Sequence, residues 1–106
     1  MQYIMRYYVQ FKKNADFRRW LLDNEKAIAE NQPEGWTYLG TWFTCRGFGK
    51  YDCESRYELD DYDTLGAGWG NETNQQLMRE WLEFIDLNRA GETYLMKSAH
   101  DVSVFE

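Results

Sequence analysis

Five side chains in this sequence have the types and spacing to act on one small molecule. Tyr7 and Tyr57 fall at inward positions of two alternating segments. Trp20 and Asn24 fall on one stripe of a first helical segment, and Trp81 on the stripe of a second. The two phenols therefore point from a sheet toward helices, and Trp20, Asn24 and Trp81 point back. Such a set can line a cavity with apolar walls and a few polar groups. In it Asn24 would hydrogen-bond a substrate oxygen, and Tyr7 or Tyr57 would transfer a proton. Trp20 and Trp81 would exclude water. The competing reading of the same five residues is an aromatic core with one satisfied asparagine.

Other reactive groups do not form a constellation. His100 is the only imidazole, and Asp101 beside it would point to the opposite face of a strand, so it lacks an orienting partner. No Ser-His-Asp or Cys-His arrangement can be drawn. Asp60-Asp61-Tyr62-Asp63 lacks the Gly and Glu that a calcium loop of the EF-hand type requires, and reads as a solvated acidic turn. Gly66-Ala67-Gly68-Trp69-Gly70 has Asn71 where a dinucleotide fingerprint needs Gly, and no Lys follows. It reads as a flexible rim above a pocket. Cys45 and Cys53 flank a hairpin, and a loop centred on Gly49 would set them opposite each other. The expectation is two reduced, partly buried thiols. One His and no C-x-x-C give no basis for a structural zinc, and no metal or cofactor is expected.

The elements that position these residues follow from periodicity. In Gln2–Phe11 the odd positions Tyr3, Met5, Tyr7, Val9 and Phe11 share one face, and Ile4, Arg6 and Tyr8 the other. Asn14 is a good N-cap for a helix over Ala15–Asn31, whose stripe is Phe17, Trp20, Leu21, Ala27 and Ile28. Asn24 falls near the middle of that stripe and Asn31 on its edge. In Trp36–Cys45 the residues Leu39, Thr41, Phe43 and Cys45 take the inner face, and Tyr38, Gly40 and Trp42 the outer. In Tyr51–Leu59 the odd residues alternate with Asp52, Glu54, Arg56 and Glu58, so the hairpin pairs like faces. A turn is predicted at Tyr62–Leu65. A second helix near Asn74–Asn88 presents Leu77, Met78, Trp81, Leu82 and Ile85, with Phe84 and Leu87 outside the stripe as a subunit contact. A last strand spans Glu92–Ala99.

This order, strand-helix-strand-strand-helix-strand, predicts an α+β fold: one ferredoxin-like βαββαβ domain over residues 1–106 with a four-stranded antiparallel sheet. Right-handed crossovers put both helices on one face. The other face then shows Ile4, Tyr8, Tyr38 and Trp42 among Arg6, Arg56, Glu54 and Glu58, a patch suited to a two-fold interface. Five Trp, eight Tyr and six Phe in 106 residues exceed the needs of one small core, which points to a second buried surface.

Charge narrows the partners. The net charge is −6. Residues 1–50 carry eight Lys/Arg against five Asp/Glu, a net of +3, and residues 51–106 carry four against thirteen, a net of −9. Nucleic-acid affinity rests on Lys and Arg neutralising phosphates, so an acidic chain argues against it. Arg46-Gly47-Phe48-Gly49 resembles the start of the RNP1 signature of RNA-recognition motifs, but Lys50 and Cys53 stand where that signature continues with aromatics. No segment resembles a signal peptide or a membrane span, and two cysteines without one suggest a reducing cytoplasm.

The element order, the hairpin Trp36–Leu59, the turn at Tyr62–Leu65 and the aromatic bare face resemble the dimeric α/β-barrel superfamily. It includes NIPSNAP-like proteins, antibiotic-biosynthesis monooxygenases, stress-responsive barrel proteins and haem-degrading enzymes. The resemblance covers nearly the whole chain. It implies a homodimer in which two open sheet faces close a shared barrel, with a ligand between the sheet and helices of each subunit. Cofactor-free monooxygenases of the superfamily use Asn, Trp and Tyr near an activated aromatic substrate, and Asn24, Trp81 and Tyr7 match them by type only. Haem-degrading members use a helical His, whereas His100 lies elsewhere. No catalytic motif aligns residue by residue, so whether the chain is an enzyme stays open. The leading reading is a cytoplasmic homodimer that binds a small apolar or aromatic molecule, with cofactor-independent monooxygenase or isomerase activity as its enzymatic form. A non-enzymatic binding or assembly module is the second reading, and an RNA-binding domain the third.

Overall fold

The computed structural model describes residues 1–45 and 50–101, so the motif Arg46-Gly47-Phe48-Gly49 lies outside the described residues. The elements run β1 (Gln2–Tyr7), α1 (Asn14–Glu30), β2 (Trp36–Phe43), β3 (Cys53–Leu59), a 3-10 helix (Tyr62–Ala67), α2 (Glu72–Leu82) and β4 (Glu92–Met96). The strands form one sheet in the order β2-β3-β1-β4, each neighbouring pair antiparallel. This is the predicted ferredoxin-like α+β arrangement. Among the described residues no helix is long and apolar enough to cross a membrane.

Both helices pack on one face of the sheet. The core joins Tyr7, Val9, Phe17, Leu21, Ile28, Cys53, Leu77 and Ile85. Phe17 is fully buried where α1 meets the sheet, its ring 6.2 Å from Tyr7, 5.7 Å from Phe43 and 5.4 Å from Phe84. The Cα atoms span 46 × 37 × 23 Å along the principal axes, with a radius of gyration of 14.6 Å. A chain of this length packed on all sides has a radius near 13 Å, so the molecule is thin as well as small.

Several local readings are corrected. A β-bulge between Tyr38 and Gly40 shifts the pairing of β2 with β3. Tyr38 therefore lies opposite Tyr57 on the helix side, while Leu39 is 41% exposed, the reverse of the strict alternation. Gly40 makes this possible with a φ of +133°, and a Cβ there would lie 3.3 Å from the Trp42 ring.

The second helix begins at Glu72, capped by Asn71, whose side chain accepts from Asn74 N at 2.8 Å. It ends at Leu82 rather than near Asn88. Gln10 N donates to Phe84 O at 2.8 Å and Asp86 N to Tyr8 O at 2.9 Å, so the chain after β1 captures the segment that would have continued the helix. The helical phase breaks there, and Phe84 turns onto Phe17 and Trp20 instead of a subunit contact.

The first helix carries no side-chain N-cap. Lys13 occupies that position, and Asn14 is already helical. In the hairpin, Phe43 rather than Cys45 lies opposite Cys53, and both thiols are free, Cys45 exposed and Cys53 buried.

Candidate functional site

Between the sheet and α2 lies a cavity of about 200 Å³. Its walls are the rings of Tyr3, Trp36, Tyr57, Trp69 and Trp81, completed by Met5, Pro33 and Met78. The sequence dictates this from three directions. Tyr3, Met5 and Tyr57 are inward residues of β1 and β3. Trp36 opens β2, where its Nε1 donates to Thr64 O at 2.8 Å. Asn74, Met78 and Trp81 recur at the spacing of one helical face. Gly68 and Trp69, both exposed, form the rim. The aromatic packing is edge-on: Tyr3 to Trp36 at 5.5 Å and Trp36 to Tyr57 at 5.4 Å, the geometry rings prefer.

The polar content is small and specific. Asn74 is 3% exposed, and its Nδ2 donates to Trp69 O at 2.6 Å. Its Oδ1 is the one buried side-chain N or O atom among the described residues with no hydrogen-bond partner. A buried acceptor left unmatched costs about 1–3 kcal/mol. Gln32 is the other amide in the wall, and its Nε2 donates to Ile28 O at 3.0 Å. Tyr57 is 7% exposed, and burial raises its pKa well above the ordinary tyrosine value with no hydrogen bond to offset it. Among the described residues no charged one lines the cavity.

Of the five side chains picked out by spacing, Tyr57 and Trp81 line this cavity. Tyr7 backs it, its ring 5.1 Å from that of Trp81. The Tyr7 hydroxyl faces elsewhere and belongs to a row across the sheet: Tyr7 to Ser55 at 2.7 Å, Ser55 to Thr41 at 2.8 Å, and Thr41 to Tyr38 at 2.6 Å. Trp20 stacks on Phe17 and donates its Nε1 to Glu80 at 3.2 Å. Asn24 donates its Nδ2 to Trp20 O at 2.8 Å, one turn back in α1. Neither Trp20 nor Asn24 lines the cavity.

Asn74 was not singled out in the sequence. Its signal was present in its place on the stripe, one turn before Met78 and two before Trp81, but the predicted helix started at Asn74 and so left it as a terminal polar residue.

The opposite sheet face carries a charged row. Glu54 accepts from Arg6 and from Arg56, each at 2.7 Å. Burial pushes the Glu54 carboxyl up, but these two hydrogen bonds outweigh it and hold it below the usual carboxylate range. Arg6 lies over the Tyr94 ring and Arg56 over the Trp42 ring, at 5.0 and 5.4 Å. Ile4 is 4% exposed among them, whereas Trp42 and Met96 are half exposed.

Comparison with known proteins agrees with the fold. No protein-family model matches the chain. No curated protein is similar to it in sequence. Solved structures are similar in shape. An uncharacterised NIPSNAP domain protein from Burkholderia xenovorans superposes with a TM-score of 0.66 at 17% identity, covering 97% of this chain and 100% of that one. HapK from Hahella chejuensis gives 0.61 at 9% identity, over 97% and 99% of the two chains. A conserved protein from Methanosarcina mazei gives 0.59 at 14% identity, over 91% of each. The chain therefore has the ferredoxin-like fold of NIPSNAP-like proteins.

Proposed function

We propose that the protein binds a small, neutral, apolar or aromatic molecule in the cavity between the sheet and α2, and that it does so as a homodimer joined through the bare sheet face. The observation that supports the first part is a ring-lined cavity of about 200 Å³ with no charge among the described residues of its wall. An apolar cavity of about 150 Å³ takes up benzene, so this one suits a single ring with a substituent. Ligand pockets of this kind hold their guests mainly through apolar contact, with one or two polar groups fixing orientation.

Among the described residues the wall supplies phenols and amides but no imidazole, carboxylate or thiol. Binding is therefore the part of the function that these residues carry most directly. Cofactor-independent monooxygenase or isomerase activity is the enzymatic form of the same reading, with Tyr57 the phenol in contact with the bound molecule. Support for the dimer comes from the thin slab and from Trp42 and Met96 half exposed on a face that is otherwise ion-paired.

The test is calorimetric titration of the protein with toluene, alongside a Trp81→Ala variant. Saturable binding at one site per chain is expected, weakened about ten-fold or more in the variant, since a large ring of the wall is removed. No saturable uptake by the wild-type protein would sink the reading and leave the assembly module in its place.

A further inference from the structure

We infer that the molecule taken up by this cavity carries a hydrogen-bond donor, a hydroxyl or neutral amine on a single ring, and that Asn74 Oδ1 receives it. This rests on the reading of the cavity as a site for a small aromatic molecule. The orientation of the Asn74 amide is fixed by its neighbour. The Trp69 carbonyl only accepts, so the atom 2.6 Å from it must be Nδ2, and the atom left over is Oδ1. That oxygen is buried, lies in a residue lining the cavity, and has no partner among the described residues. An acceptor in such a place selects a donor.

The remaining polar groups of the wall sharpen the choice. The Trp36 indole N–H is spent on Thr64 O and one N–H of the Gln32 amide on Ile28 O, while the Tyr57 hydroxyl, with no hydrogen bond among the described residues, can accept from the bound molecule as well as donate to it. Among the described residues no Lys or Arg lines the cavity to neutralise an anion, and no Asp or Glu to neutralise a cation. Burying either charge there would be costly. The rings would attract an ammonium group through their faces, but the uncharged wall favours a neutral donor. Phenols and anilines meet these conditions.

Asn74 has a second consequence for the site. The same amide that receives the donor holds the Trp69 carbonyl through Nδ2, so recognition and the position of the rim are tied to one side chain. A ligand that engages Oδ1 polarises the amide and strengthens its bond to the rim.

The experiment compares toluene, phenol, benzonitrile and phenyltrimethylammonium by calorimetry on the wild-type protein near neutral pH. Phenol and benzonitrile are similar in size and polarity, but benzonitrile only accepts. Phenol is expected to bind at least ten-fold more tightly than benzonitrile, and the ammonium compound more weakly than toluene. Asn74→Leu should erase the preference for phenol while toluene still binds. Equal affinities for phenol and benzonitrile in the wild-type protein would overturn the inference and leave the reading of the cavity intact. Tightest binding of the ammonium compound would also overturn it, in favour of a cation cage. Uptake of none of the four would overturn the inference and the reading together. The wild-type comparison decides the matter even if Asn74→Leu fails to fold.

Discussion

Tyr7 and Tyr57 stand on neighbouring strands, are almost equally buried, and are treated differently by their surroundings. Tyr7 is 5% exposed and shares its hydroxyl with Ser55. Tyr57 is 7% exposed, and burial acts on it unopposed. Burial raises the pKa of both above the ordinary value near 10, the hydrogen bond to Ser55 offsetting only part of the effect at Tyr7. A phenol whose pKa is raised on folding contributes stability that is fully present below the unfolded pKa. That stability is lost as pH rises from about 10 toward the folded pKa, because the unfolded chain ionises first. Urea unfolding should therefore be insensitive to these two groups up to about pH 9. It should weaken above that by up to about 1.4 kcal/mol per pH unit for each. Tyr57→Phe should remove about one proton from that slope, and an unaltered slope would show that Tyr57 is not held neutral by the fold. Cys53 is a parallel case: burial pushes its thiol up to about 12, so it is inert while Cys45 is exposed.

The element that most shapes the helix side of the sheet is the bulge in β2. One extra residue there turns Tyr38 inward, where its hydroxyl meets Thr41 at 2.6 Å and its ring lies 5.5 Å from Tyr57. Without it Tyr38 would lie on the bare face, and the hydroxyl row through Ser55 would lose its last member. Gly40 carries the bulge in a backbone conformation that L side chains rarely adopt. Gly40→Ala is expected to lower stability by about 1–2 kcal/mol, from backbone strain and from the close approach to Trp42. Denaturant unfolding of the variant checks this, and a midpoint equal to that of the wild-type protein would show that the bulge does not depend on glycine. The end of α2 makes the same point. The stripe Leu77–Ile85 was legible as a helix, but backbone bonds from Gln10 and to Tyr8 stop it at Leu82. Local periodicity does not contain partners that lie more than seventy residues away.

At the scale of the molecule, one sheet face is covered by helices, and on the other, among the described residues, no helix packs, although Ile4 there is 4% exposed. Glu54 is shared by two arginines on that face, Arg6 and Arg56, whose guanidinium groups lie over Tyr94 and Trp42, which leaves an aromatic surface with its charges paired close to it. A second copy laid face to face would bury Trp42 and Met96 and thicken the slab. A stable interface of this kind takes about 800 Å² from each partner. Sedimentation is expected to give twice the chain mass at micromolar concentration. Trp42→Asp should give a monomer with unchanged far-ultraviolet circular dichroism, because Trp42 is outside the core. A wild-type protein that sediments as a monomer at tens of micromolar would remove the dimer from the proposal.

The sequence by itself determined the order of the elements, the side of the sheet that the helices take, and two walls of the cavity. Alternation places Tyr57 inward because a strand's period is two, and helical spacing places Trp81 because it follows Leu77 and Met78 on one face. Tertiary structure decided the rest. Asn24 lay on an apolar stripe and so invited a ligand, but a carbonyl one turn back in its own helix takes its amide. Asn74 looked like a terminal residue of α2, yet the N-cap at Asn71 carries it into the helix, and the fold buries it beside Trp36 and Tyr57. Which asparagine is satisfied depends on partners that meet only when the chain closes, and a one-dimensional pattern records none of their distances.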